Sequence, residues 1–158
     1  MARPIYTILK STNLQITGDI IMANQELISG LNQQLNREIT TFLRYMRQAA
    51  SIKGAEYESV REMYLKEVPD EVGHAKYLTN QIVLLGGSVK MAPDLAPPPA
   101  DVRQMLEHDA REEANDVKNY VRLALLAEKE GLFALKLQME QQAADEDSHG
   151  QEMQRLLG

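Results

Sequence analysis

Apolar residues recur every three or four positions from about Asn24 to Lys53, through Leu27, Leu31, Leu35, Phe42 and Ala49. That period predicts an amphipathic helix, and Gly54 closes it. Glu38 and Tyr45 fall on the same stripe. A second run, from about Glu56 to Leu85, aligns Val60, Tyr64, Glu67, Glu71, His74, Leu78 and Ile82 before the glycines at 86–87. Pro69 lies inside it and removes a backbone donor. The apolar period resumes at once, so a bent but continuous helix is expected. A third run from about Asp101 to Lys129 holds Leu106, Ala110, Glu113, Val117, Tyr120 and Ala124 in register. After Gly131 a fourth holds Leu132, Leu135, Met139, Ala143, Glu146, His149 and Met153.

The segment GGSVKMAPDLAPPPA, residues 86–100, is the one long linker, and its prolines predict an extended, stiff crossover. Two tight helical hairpins joined by one long crossover make an all-α four-helix bundle. Residues 1–23 mix apolar and turn character and read as an N-terminal extension, with the bundle occupying 24–158.

Composition narrows the chemistry. A chain of 158 residues suits one domain with a sizeable core. Without tryptophan and with only two phenylalanines, that core relies on Leu, Ala, Tyr and eight methionines, which are read as filler. There is no cysteine, so disulfides, thiol nucleophiles and thiolate metal sites are excluded. Any metal must sit on carboxylate and imidazole groups. The formal charge is −6, and the first 25 residues carry only Arg3 and Lys10 against Asp19. Neither feature favours nucleic acid. No leader-like or membrane-length apolar run is seen, so the expectation is a cytoplasmic protein without a membrane partner.

The candidate chemistry lies in a repeat. DEVGHA and DEDSHG each place a Glu-x-x-His on a helix: Glu71 and His74, then Glu146 and His149. These pairs are 75 residues apart, as are Glu38 and Glu113, and Tyr45 and Tyr120. At i,i+3 the Glu and His project from one helix face. Four helices of a pseudo-twofold bundle would therefore bring four Glu and two His to one level. Burying that set without a cation would carry a heavy desolvation cost. Its donors suit two iron or manganese ions, and its four negative charges match two divalent cations.

Asp70 and Asp145 precede their Glu by one residue and point aside. They read either as exposed carboxylates or as acceptors for the outer N–H of the opposing histidine. Asp109, one turn before Glu113, is expected near the site entrance, and His108 is expected to face elsewhere. Tyr45, two turns beyond Glu38, is expected beside the cluster, as a core hydrogen-bond donor or a redox participant.

These motifs resemble the ferritin-like superfamily and bacterioferritin within it, from about Asn24 to the C-terminus. LNREITTFLRY resembles the first-helix segment, DEVGHAKYL the second, DAREEANDVKN the third and DEDSHGQEMQ the fourth. The resemblance implies terminal ligands Glu38 and Glu113, bridging ligands Glu71 and Glu146, ligands His74 and His149, and a catalytic part for Tyr45. It also implies two Fe ions per subunit, with Mn an alternative and Zn a substitute in crystals.

Where the family's haem-ligating methionine stands, this chain has Val72, so no haem is expected. Only nine residues follow His149, and the outline is closer to Dps-like mini-ferritins. A homo-oligomer is expected, a dodecamer ahead of a 24-mer, with a dimer open. The implied activity is that of a ferroxidase acting on Fe(II) with O2 or H2O2, for iron storage, detoxification or peroxide protection. The alternatives are a rubrerythrin-like peroxidase, a manganese-catalase-like enzyme, and a non-catalytic structural or DNA-protecting bundle.

Overall fold

A computed structural model describes residues 5–158, with side chains from Asn24 onward. Helix α1 spans Ile5–Ser51, α2 Glu58–Leu84, α3 Val102–Lys129 and α4 Phe133–Leu157, and a 3₁₀ turn at Ala55–Tyr57 leads into α2. Backbone helix continues from Ile5 into the bundle. The reading of 1–23 as a separate extension concerns side chains that lie outside the described residues.

Local chemistry sets the helix ends. The Asp101 side chain accepts from the Gln104 N–H at 3.0 Å and caps α3. Gly86 takes φ +79°, while the Gly87 N–H reaches the Ile82 carbonyl and the Gly86 N–H that of Val83. Gly131, at φ +72°, ends α3 with the same pair of bonds, from Leu132 to Ala127 and from Gly131 to Glu128. Both are Schellman closures, in which a left-handed glycine lets the last carbonyls find donors.

Helix α2 runs unbroken through Pro69. The carbonyl that loses its donor there belongs to Leu65, on the exposed side of the helix. Water can take the place of the missing N–H, which is why the helix survives.

The crossover is fastened to α1 by side chains one turn apart. Asn32 donates to the Ser88 carbonyl at 3.1 Å and accepts from the Lys90 N–H at 2.7 Å. Asn36 donates to the Lys90 carbonyl at 2.7 Å, and Thr40 accepts from the Asp94 N–H at 2.9 Å. An extended segment with no ladder partner thus satisfies its backbone on a polar stripe of a helix.

Helices α1 and α2 form one hairpin and α3 and α4 the other. Polar pairs tie α1 to α3 in antiparallel sense: Gln34 with Asp116, and Arg44 with Asp109. Gly30 allows close approach here, since a Cβ on it would lie 2.8 Å from Leu123 Cδ2. Helices α2 and α4 stand further apart and leave a polar cleft.

The apolar interior falls into two halves. One contains Leu27, Leu31, Leu78, Leu123 and Met139, and the other Ile52, Met63, Tyr64, Leu106 and Met153. A layer of buried carboxylates and imidazoles separates them. Among the described residues no helix is long and apolar enough to cross a membrane.

Candidate metal centre

Each helix delivers its polar residue to that layer from within an apolar stripe, so packing of the stripe fixes the ligand-type side chain. Glu38 comes from α1, Glu71 and His74 from α2, Glu113 from α3, and Glu146 and His149 from α4. None is more than 7% exposed.

The six residues resolve into two overlapping quartets, Glu38–Glu71–His74–Glu146 and Glu71–Glu113–Glu146–His149. Within each, one donor atom per residue lies within 4.8 Å of all the others. Glu71 and Glu146 belong to both quartets, and the other four residues to one each. That is the topology of two adjacent cations sharing two carboxylates.

Both histidines turn Nδ1 inward. His74 Nδ1 lies 2.9 Å from Glu146 Oε1 and 3.6 Å from Glu38 Oε2. His149 Nδ1 lies 3.1 Å from Glu146 Oε2 and 3.3 Å from Glu71 Oε1. The His149 Nδ1–Glu146 Oε2 contact is a hydrogen bond. Elsewhere proximity is not pairing: His74 Nδ1, Glu67 Oε2, Glu71 Oε1 and Glu146 Oε1 are buried and have no aligned hydrogen-bond partner. Unpaired polar groups in a dry interior each cost on the order of 1–3 kcal/mol, a cost that cations bound among these atoms would remove. The donor set fits a pair of divalent ions of the iron or manganese type.

The electrostatics agree. Burial, then repulsion from Glu71, pushes the Glu38 carboxyl up to about 7. Burial and the neighbouring Glu146 and Glu71 push Glu113 well above the usual carboxylate range. Burial disfavours the imidazolium of His74, but the Glu146, Glu38 and Glu71 carboxylates outweigh it and raise the group overall. His149 is raised in the same way, by Glu146, Glu67 and Glu71 against burial. Glu38 and Glu113, raised in this way, hold protons near neutral pH unless cations replace them.

A family profile for the ferritin-like domain matches residues 28–158. The chain belongs to the ferritin-like family.

Among ferritin-like relatives, the bacterial ferritin of Pseudomonas aeruginosa is 28% identical over 144 residues, covering 87% of this chain and 90% of the relative. A ferritin-like, diiron-carboxylate protein from Bacillus anthracis superposes with a TM-score of 0.83 at 33% identity, covering 86% of this chain and 98% of that one. A dodecameric thioferritin from Bacteroides fragilis shares the fold, with a TM-score of 0.78 at 20% identity over 89% of this chain and 92% of its own.

Around this ferritin-like layer the two halves exchange hydrogen bonds. Tyr45 of α1 donates to Glu113 of α3, and Tyr120 of α3 donates to Glu38 of α1 at 2.5 Å. Burial, then the adjacent carboxylate, raises both phenols well above their ordinary value, so they stay protonated and act as donors.

Asp145 Oδ2 lies 3.5 Å from His74 Nε2, and Asp70 Oδ2 lies 4.0 Å from His149 Nε2. Each aspartate therefore faces the histidine of the opposing hairpin, at long range and with its own side chain more than half exposed. The close partner of His149 is Glu67, whose Oε2 is 2.6 Å from Nε2. Sequence reasoning placed Glu67 on the correct stripe but gave it no role. The residue 75 positions further on is Gln142, so Glu67 has no mate in the repeat that exposed the others.

Asp109 departs from expectation. It is fully buried rather than at an entrance, and it accepts from Arg44 at 2.7 Å, Gln48 at 2.9 Å and Tyr64 at 2.7 Å. It is an internal anchor between α1, α2 and α3. His108 lines the outer groove between α1 and α3, away from the cluster. Val72 is surface-exposed on α2.

Proposed function

We propose that this protein is a ferroxidase: it takes Fe(II) as substrate at the six-residue centre and oxidises it to Fe(III) with O2 or H2O2. What carries the reading is the sharing of Glu71 and Glu146 between two complete quartets. Two Fe(II) ions close enough to share both carboxylates can together supply the two electrons that H2O2 needs to become two waters, or that O2 needs to become H2O2. Iron bound there supplies the redox chemistry; the protein supplies position and charge.

Glu38 and His74 would hold one ion, Glu113 and His149 the other, and the shared carboxylates both. Tyr45 and Tyr120, each donating to a terminal carboxylate, orient Glu113 and Glu38. The apolar halves on either side keep bulk water from the layer. The cleft between α2 and α4, lined by Asp70, His74, Asp145 and His149, offers the ions a polar approach from solvent. The ferritin-like, diiron-carboxylate character of the Bacillus anthracis relative supports the same assignment.

The reading is tested by stopped-flow oxidation of Fe(II) with O2 and, separately, H2O2, comparing the wild type with E71A and H149A. Saturable oxidation that both variants largely lose is the expected result. Equal rates in all three would assign the centre a structural part only. The same assay with Mn(II) and excess H2O2 separates a manganese-catalase-like protein, which would release O2. Solution mass determines whether the product can be stored: a dodecamer could enclose mineral, and a dimer could not.

A further inference from the structure

The internal repeat makes the two halves of the centre nearly equivalent, and Glu67 breaks that equivalence. We infer that Glu67 is a positioning residue that makes the two metal positions unequal, strengthening the one that includes His149. This rests on the di-metal reading above and refines it.

Glu67 lies one turn before Glu71 on α2, is 2% exposed, and places Oε2 2.6 Å from His149 Nε2. The inner nitrogen of the same ring lies 3.1 Å from Glu146 and 3.3 Å from Glu71. A carboxylate behind an imidazole fixes the tautomer that leaves the inner nitrogen free to ligate. It also increases that nitrogen's donor strength. Among the described residues no buried carboxylate stands behind His74, whose outer nitrogen has Asp145 as its acidic neighbour, at 3.5 Å and with a side chain 58% exposed. The aspartates themselves are matched in the two halves, since Asp70 stands 4.0 Å from His149 and is equally exposed.

The difference between halves is therefore Glu67 against its repeat counterpart Gln142, which is also buried but uncharged. Lys66 lies 3.6 Å from Glu67 and is 78% exposed, so water screens it.

Glu67, Asp70 and His149 also lie close enough together to hold a cation of their own. A neutral imidazole has a single lone pair, and with the Nε2–H of His149 turned to Glu67 that pair would lie on the inward Nδ1. A latch on His149 and a third ion at its outer edge are thus competing uses of one ring: Glu67 Oε2 is buried without an aligned partner, and Nε2 of His149, 2.6 Å away, is the donor on hand to satisfy it.

Anaerobic Co(II) titration followed by visible absorption, with Zn(II) calorimetry on the same samples, tests this. Wild type is expected to bind two ions per chain in two resolved steps. E67Q keeps the shape of the contact without the charge, and the tighter step should weaken by about ten- to a hundredfold, so that the steps merge. Q142E, which gives α4 the buried carboxylate that α2 already has, should bring the weaker step up toward the stronger.

Crystals of the wild type carrying one Zn(II) per chain should show the anomalous peak beside His149. The inference is overturned if E67Q titrates as wild type, if the first ion sits beside His74, or if a third ion binds that E67Q removes. A wild type that binds no pair of ions would instead overturn the di-metal reading itself.

Discussion

Glu71 and Glu146 differ from the other ligand-type residues because each lies within reach of both metal positions. E71A or E146A should abolish binding of both ions, a larger loss than the roughly 10–100-fold typical of an outer partner. E38A should weaken mainly the position on the His74 side. Counting ions per chain in the three variants checks this ordering. Tyr45 and Glu113 were legible as candidates because the 75-residue offset matched them to Tyr120 and Glu38. Their crossed bonding, α1 to α3 and back, was not, because it depends on which helices face each other. Glu67 escaped for the opposite reason: an approximate repeat hides the residues at which it is broken. Asp109 was misplaced because spacing along α3 says nothing of Arg44, Gln48 and Tyr64, which approach it from two other helices.

Periodicity and punctuation sufficed for α2, α3 and α4, but not for the start of α1, which lies at Ile5 rather than near Asn24. Helix α2 begins at Glu58 and α3 at Val102, within two residues of expectation, and the glycines after α2 and α3 close them as anticipated. What periodicity could not supply was the fastening of the crossover, since Asn32, Asn36 and Thr40 look like ordinary polar positions on α1. N36A removes the partner of the Lys90 carbonyl and should cost about 0.5–1.5 kcal/mol. The double variant N32A/N36A should make the 88–94 segment a site of early proteolysis in a time course. The buried anchor is more sensitive. D109A leaves the Arg44 guanidinium, with only 11% of its side chain exposed, without its carboxylate, and should destabilise by about 3–5 kcal/mol in urea unfolding.

For the whole molecule, the acid-rich layer between two apolar halves trades apoprotein stability for cation affinity. Glu38 and Glu113 have folded-state values raised by burial above their unfolded values. Their contribution is fully present below about pH 4.5 and is lost as pH rises through about 7, where Glu38 titrates. The histidines, also raised overall, act in the same direction above their unfolded value of 6.5. The melting temperature of metal-free protein should therefore fall between pH 5 and pH 8. Saturating Zn(II) should flatten or reverse that trend, because the cation replaces the protons. A melting temperature of the apoprotein that rises over this range would show that the carboxylates are not jointly buried as described.

The most direct test of the central claim is an anaerobic Fe(II) titration of the metal-free protein, followed by a pulse of oxidant. The account predicts saturation at two Fe(II) per chain, oxidation of both on adding O2 or H2O2, and loss of both properties in E71A. Saturation at one ion or none, or two ions that the oxidant leaves as Fe(II), would contradict it.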